Sequence, residues 1–202
     1  LPAAEKLAEK GYYVFRMGRI VNKPMYSSNS KIIDYANSGI RNDFLDIYLA
    51  YKCKFCIRTA GFGGVPKIFR KPLVIIEGPL ADLEFGNPKN LLLSPHYYSI
   101  KKGKTLSLSE TFAFEVSDIR TSQGYKNLDI EVKNNTSEEI KDVVIEMAER
   151  LEGIWKPNSN DIFLQKKFLE VFEKNLIFYK KRKFFGNILS KYSAKFIRNN
   201  PH

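Results

Sequence analysis

Short apolar runs rich in β-branched and aromatic residues alternate along this chain with segments of helical period. A mainly parallel sheet with helices on both faces accommodates that alternation, whereas an antiparallel sandwich or a helical bundle does not. The runs are Tyr12-Tyr13-Val14-Phe15, Ile32-Ile33-Asp34-Tyr35, Lys54 to Arg58, Pro72-Leu73-Val74-Ile75-Ile76, a weaker Asn90-Leu91-Leu92-Leu93 and a period-two Leu128-Asp129-Ile130-Glu131-Val132. Helices are predicted over Pro2 to Glu9, from about Asn42, around Val65 to Arg70, from Thr136 and from Asp161. In the second, Phe44, Ile47, Tyr48 and Tyr51 recur at i, i+3, i+4, i+7 and make its apolar face. Thr136 and Glu139 form a capping-box pattern ahead of Ile140, Val143, Val144, Met147 and Leu151, and Gly153 closes that helix. Asn22 to Ser30 and Gly78 to Lys89 read as loops, and no repeat or low-complexity tract interrupts the alternation. The predicted architecture is therefore α/β and Rossmann-like over 1–160, followed by a basic helical extension over 161–202. A start on Leu1, with a helix delivering a strand, reads as a piece of a longer α/β protein.

Composition narrows the function classes. Hydrophobic residues make up 44% of the 202, enough for one core, and no stretch reaches the ~20 uninterrupted apolar residues of a spanning helix. Thirty-three Lys and Arg against 22 Asp and Glu give a net charge of +11, which favours a polyanionic partner: phosphate groups, nucleic acid or an anionic membrane. No zinc-finger, KH or RNP pattern supports nucleic acid. The two cysteines, Cys53 and Cys56, are too few for a disulfide framework and point to a reducing, cytosolic compartment. Their C-x-x-C spacing in an extended strand sends the side chains to opposite faces, so buried thiols without metal are predicted. His96 falls in a predicted loop beside Tyr97 and Tyr98; with only His202 besides, no zinc set or Ser-His-Asp arrangement can be assembled. Asp43 and Asp46 sit where a helix dipole favours acids.

In open α/β sheets ligands bind beyond the carboxyl ends of the strands, which selects two segments. Arg16-Met17-Gly18-Arg19 places two guanidinium groups around a glycine after the first strand, as a phosphate clamp or as solvated loop charges. Thr59-Ala60-Gly61-Phe62-Gly63-Gly64 lies between a strand and a helix, as a phosphate cradle or a tight turn. It matches neither the P-loop nor the G-x-G-x-x-G dinucleotide pattern. Glu77 and Asp82 border the strongest strand, within reach of a sugar's hydroxyls or as solvated loop acids.

The runs Tyr13 to Arg19, Ile32 to Tyr35, Asn42 to Leu49, Cys53-Lys54-Phe55, Phe69 to Val74 and Glu138 to Val144 resemble a family of bacterial proteins assigned as glycosyltransferases of surface-polysaccharide synthesis. The likeness covers roughly residues 10 to 172, in order and with similar gaps. It is to the C-terminal, donor-binding half of a GT-B enzyme, in which two Rossmann-like domains face each other across a cleft. The resemblance implies a nucleotide-sugar donor, a glycan or lipid-linked acceptor and a partner N-terminal domain. That domain would supply the catalytic base of an inverting reaction; no cofactor or metal is implied. The donor diphosphate would lie against the glycine-containing loop at Thr59, Ala60, Gly61, Phe62, Gly63 and Gly64, with Arg16, Gly18 and Arg19 opposite and Glu77 nearby. The family usually carries a Gly-Ser or Ser-Gly pair in this loop. Here the hydroxyl is lost or moved to Thr59, and Phe62 adds bulk. The alternative class is a non-catalytic nucleotide- or polyanion-binding module.

Residues 162 to 202 carry ten Lys or Arg against two Glu, with a dense cluster at Lys180, Lys181, Arg182 and Lys183. Beyond it Phe185, Ile188, Leu189, Tyr192 and Phe196 fall on one helical stripe. Two readings stand: an amphipathic helix on the anionic inner face of the cytoplasmic membrane, or a helix packing back across the partner domain.

Overall fold

The computed structural model describes residues 1–59, 64–76, 87–114, 116, 119, 121–175 and 189–200. Ala60, Gly61, Phe62, Gly63, Glu77, Asp82, Lys180, Lys181, Arg182, Lys183, Phe185, Ile188 and His202 lie outside them. The centre is a four-stranded, all-parallel sheet ordered β3 (Cys56–Arg58), β4 (Leu73–Ile76), β5 (Leu91–Leu93), β9 (Lys191–Tyr192). β4 is buried at all four positions, and its alternation feeds two cores. Leu73 and Ile75 join Leu92, Leu164, Phe168 and Phe172 on one face; Val74 and Ile76 join Leu7, Leu91, Leu93, Val143, Val144 and Met147 on the other. Helices α1 (Pro2–Glu9) and α6 (Ser137–Glu152) cover the second face. The first is covered by α4 (Leu108–Ala113), α7 (Ser159–Asn175) and α8 (Ala194–Asn199). A mainly parallel sheet with helices on both faces is thus what forms.

The capping box forms as predicted. Thr136 Oγ1 accepts the Glu139 amide at 3.2 Å, the Glu139 carboxylate accepts the Thr136 amide at 2.8 Å, and Gly153 at φ 76° ends α6.

Three expectations are corrected. The run at Leu128 to Val132 follows the short helix α5 (Ser122–Asn127) and yields β8 (Ile130–Lys133), which does not join the parallel sheet. It pairs antiparallel with β6 (His96–Ser99), whose other edge pairs with β7 (Lys104–Thr105). Strict alternation marks a strand with one wet face, which suits an antiparallel ribbon rather than a doubly covered sheet. His96 therefore sits on a strand, not in a loop.

The second correction concerns α2 (Asp43–Lys52), which Asn42 caps by accepting the Leu45 amide at 2.9 Å. Its stripe of Phe44, Ile47, Tyr48 and Tyr51 faces solvent, at 72%, 51%, 44% and 50% exposure, and Ala50 is the residue buried. Leu45, Leu49 and Ala50 form a second apolar surface on the opposite side, and that one packs inward.

The third is the tail. Lys191 and Tyr192 form a strand beside β5, and α8 starts two residues later, so no continuous helical stripe runs through Tyr192 and Phe196. Glu146 of α6 fixes this geometry by accepting the Ala194 amide at 2.8 Å and the Ser193 hydroxyl at 3.3 Å. Among the described residues no helix is long and apolar enough to cross a membrane.

Candidate functional site

β1 (Val14–Phe15) pairs in parallel with β2 (Ile32–Ile33), apart from the four-stranded sheet. Between β1 and β3 lies a cleft of about 600 Å³. β1 and β2 form one parallel pair and β3 belongs to the four-stranded sheet, so the cleft separates the two, and part of it lies beyond the carboxyl ends of β1 and β3, where open α/β sheets bind ligands. Arg16 and Met17 follow β1 and Thr59 follows β3 at its carboxyl end. Arg16, Lys52, Lys54 and Arg58 line the cleft, and no Asp or Glu among the described residues does. Positive charge meeting low-dielectric walls focuses its field outward and attracts anions.

The structure treats the predicted residues unequally. Arg16 reaches the cleft, but its Nη1 donates to the Lys23 carbonyl at 2.6 Å and to Asp34 Oδ2 at 3.3 Å. Asp34 also accepts the Asn37 amide group at 2.7 Å and the Met25 backbone amide at 2.8 Å. These donors, Asn37 first and then Met25, hold the Asp34 carboxyl below its ordinary value, with Arg16 adding to the effect. Part of the guanidinium thus knits together the loops that follow the paired strands β1 and β2. Gly18 is required by its backbone: φ is 154°, and a Cβ there would meet Val21 Cγ1 at 2.9 Å. Arg19 is exposed and does not line the cleft. Thr59 lines it; Gly64 opens α3 (Gly64–Ile68), a helix of only five residues. So short a helix has little dipole to offer a phosphate, and the cationic side chains carry the attraction instead.

The predicted divergence of the two cysteines is corrected: Cys53 is the C-cap of α2 rather than a strand residue, and it lines the cleft together with Cys56, both as free thiols. Burial pushes Cys53 up, and burial with the neighbouring Cys53 pushes Cys56 up to about 11. Their S–H groups turn to the Ala50 and Ile57 carbonyls, at 3.2 and 3.6 Å. Protonated and inward-bonded, they are packing groups rather than nucleophiles.

A second cavity, of about 360 Å³, opens beyond the carboxyl ends of β5 and β9. Ser94, His96, Ser107, Lys167, Tyr192 and Phe196 contribute to its wall. Ser94 Oγ and the Tyr192 hydroxyl are hydrogen-bonded, and burial raises the Tyr192 phenol to about 12, so it stays protonated. Asn135 donates to the Ser94 carbonyl at 2.9 Å.

Glu139 Oε1 lies 2.9 Å from His96 Nε2 while its Oε2 serves the α6 cap. Partial burial raises that carboxyl, but the Thr136 amide and His96 outweigh it and leave it below its ordinary value. An ionised carboxylate only accepts, so Nε2 is the donor in this pair. Sequence reasoning missed this pair because 43 residues separate its members. The capping-box Glu139 was visible, but its second oxygen's partner was not.

Comparison of the chain with protein-family models, with curated proteins and with solved structures returns no match.

Proposed function

We propose that this chain is the donor-binding half of a glycosyltransferase and holds a nucleotide-sugar by its diphosphate in the cleft between β1 and β3. The observation that carries the reading is the four cationic side chains lining a cleft that reaches the carboxyl ends of β1 and β3, with no Asp or Glu among its described lining residues. A diphosphate brings about two negative charges that need donors, and Lys54 with the guanidinium groups of Arg16 and Arg58 faces it across the cleft. The motif resemblance supplies the sugar-transfer context, with a GT-B partner domain, a glycan or lipid-linked acceptor and work at the cytoplasmic face of the membrane. His96, held by Glu139, places an imidazole in the neighbouring cavity.

The test is calorimetric titration with nucleoside diphosphates and their sugar esters across the common bases. At least one sugar ester is expected to bind. Replacing Lys54 and Arg58 together by Ala should weaken it by ten- to a hundredfold or more, since one charge-assisted hydrogen bond contributes about 1.5–3 kcal/mol. Absence of binding by every nucleoside diphosphate at millimolar concentration overturns the reading. The +11 charge favours one other reading, a polyanion-binding module. Tight binding of polyphosphate with no response to any nucleoside diphosphate would select it.

A further inference from the structure

Helix α2 is apolar on two sides, and only one of them is covered. Leu45, Leu49 and Ala50 face inward, while Phe44, Ile47, Tyr48 and Tyr51 stand in water along a single stripe about 100° wide. The exposed rings are organised. Phe44 stacks on Tyr48 with centroids 6.0 Å apart, and Tyr51 meets Phe69 edge-on at 5.4 Å. Ile68, at the end of the neighbouring helix α3, is 76% exposed. Scattered exposed apolar residues need no explanation, but a contiguous patch of large ones marks an interaction surface.

The charges beside the patch indicate its partner. Lys52 Nζ lies 5.9 Å from the Tyr48 ring centroid and 5.3 Å from that of Tyr51, and Lys71 Nζ lies 5.6 Å from the latter. Lys54 and Lys67 are also exposed on these segments. On the other flank Asp46 is paired with Arg41, leaving Asp43 as the one fully exposed acid of the helix. Phenylalanine and isoleucine, tyrosines with polar tips and a lysine along one margin suit the boundary between lipid headgroups and acyl chains. The net charge of +11 draws the same face toward an anionic surface.

We propose that the exposed face of α2, with Ile68 of α3, docks the protein on an anionic lipid bilayer. Phe44, Ile47 and Tyr48 enter the headgroup–acyl boundary, and Lys52 and Lys71 reach back to lipid phosphates. The placement does not depend on the nucleotide-sugar reading and is separate from the basic cluster at 180–183.

The experiment is co-sedimentation of the 202-residue chain with phosphatidylcholine vesicles, with and without phosphatidylglycerol, paired with sedimentation velocity of the free protein. Wild type is expected to bind the phosphatidylglycerol vesicles and to bind neutral ones little. The triple substitution Phe44→Ser, Ile47→Ser, Tyr48→Ser should reduce the vesicle partition coefficient at least tenfold. Because these side chains face solvent, its thermal midpoint should match wild type. Should the triple variant lose its fold, Phe44→Ser alone serves, with a severalfold reduction expected. Tyr48→Trp supplies a local readout, a blue shift of emission on adding anionic vesicles. Three results overturn the proposal: vesicle binding undiminished in the folded variants, no vesicle binding by wild type, or a wild-type dimer that the substitutions dissociate without any vesicle effect. The last would assign the face to a second copy of the chain.

Discussion

Glu146 offers the sharpest test of how the last described elements are held. Its carboxylate is buried, pairs with Arg150 through Nη2 at 2.7 Å and Nε at 2.8 Å, and accepts the Ala194 amide and the Ser193 hydroxyl. Glu146→Ala leaves the Arg150 guanidinium and the Ala194 amide without their acceptor. Breaking a buried pair from one side costs about 3–5 kcal/mol, because the surviving charge stays desolvated. Arg150 also stacks over Trp155 with its guanidinium carbon 3.3 Å from the ring centroid, so it cannot swing out without surrendering that contact. At about 2–4 °C per kcal/mol for a chain of this size, the midpoint should fall by about 6–20 °C. Glu146→Gln keeps one acceptor for the Ala194 amide and should lose only part of this. Thermal denaturation followed by circular dichroism gives the midpoints of both variants, and urea denaturation gives the free-energy losses. If Glu146→Ala loses less than about 1 kcal/mol, the carboxylate does not anchor the segment and the reasoning fails.

Three further outcomes follow from the same coordinates. Gly18→Ala, at φ 154° with Val21 in the way, should destabilise by about 1–3 kcal/mol in chemical denaturation, whereas Gly39→Ala lacks the steric contact and should cost less. Glu110 is held down to about 2 by Lys102, the Ser107 amide and Lys104. A depressed carboxyl contributes stability above its unfolded value of about 4.3 and loses it as pH falls toward the folded one; Glu110→Gln should therefore flatten the stability profile in that acid window. Cys56, raised to about 11, should react with iodoacetamide far more slowly than a free thiol at pH 8 and accelerate only as pH approaches that value, as mass spectrometry of the alkylated peptide would report.

The elements written in local chemistry were legible in the sequence. α6 announced itself through Thr136, Glu139, its apolar period and Gly153, because a cap, a stripe and a left-handed stop each involve residues within a turn of one another. β4 did so through a run that only a strand covered on both faces can bury. The candidate site was legible in part. Arg16 and Thr59 were placed by the rule that ligands meet the carboxyl ends of strands, and both line the cleft. Lys52, Lys54 and Arg58 were not, since nothing local distinguishes a cleft lysine from a solvated one.

What the sequence by itself determined, then, was the succession of elements and the α/β class, for these follow from periodicity and from the chemistry of neighbouring residues. Tertiary structure alone decided which strands share a sheet, which face of a two-faced helix is covered, and which distant side chains meet. The period of Leu128 to Val132 cannot say that its partner is His96 to Ser99. Helix α2 presents two apolar faces of similar character, and only its packing against the rest of the chain settled that Ala50 is buried while Phe44 is not. Tyr192 became a strand residue through pairing with β5, reinforced by the Glu146 anchor at Ser193 and Ala194. Such choices depend on contacts between residues far apart in the chain, whose energies no local window contains.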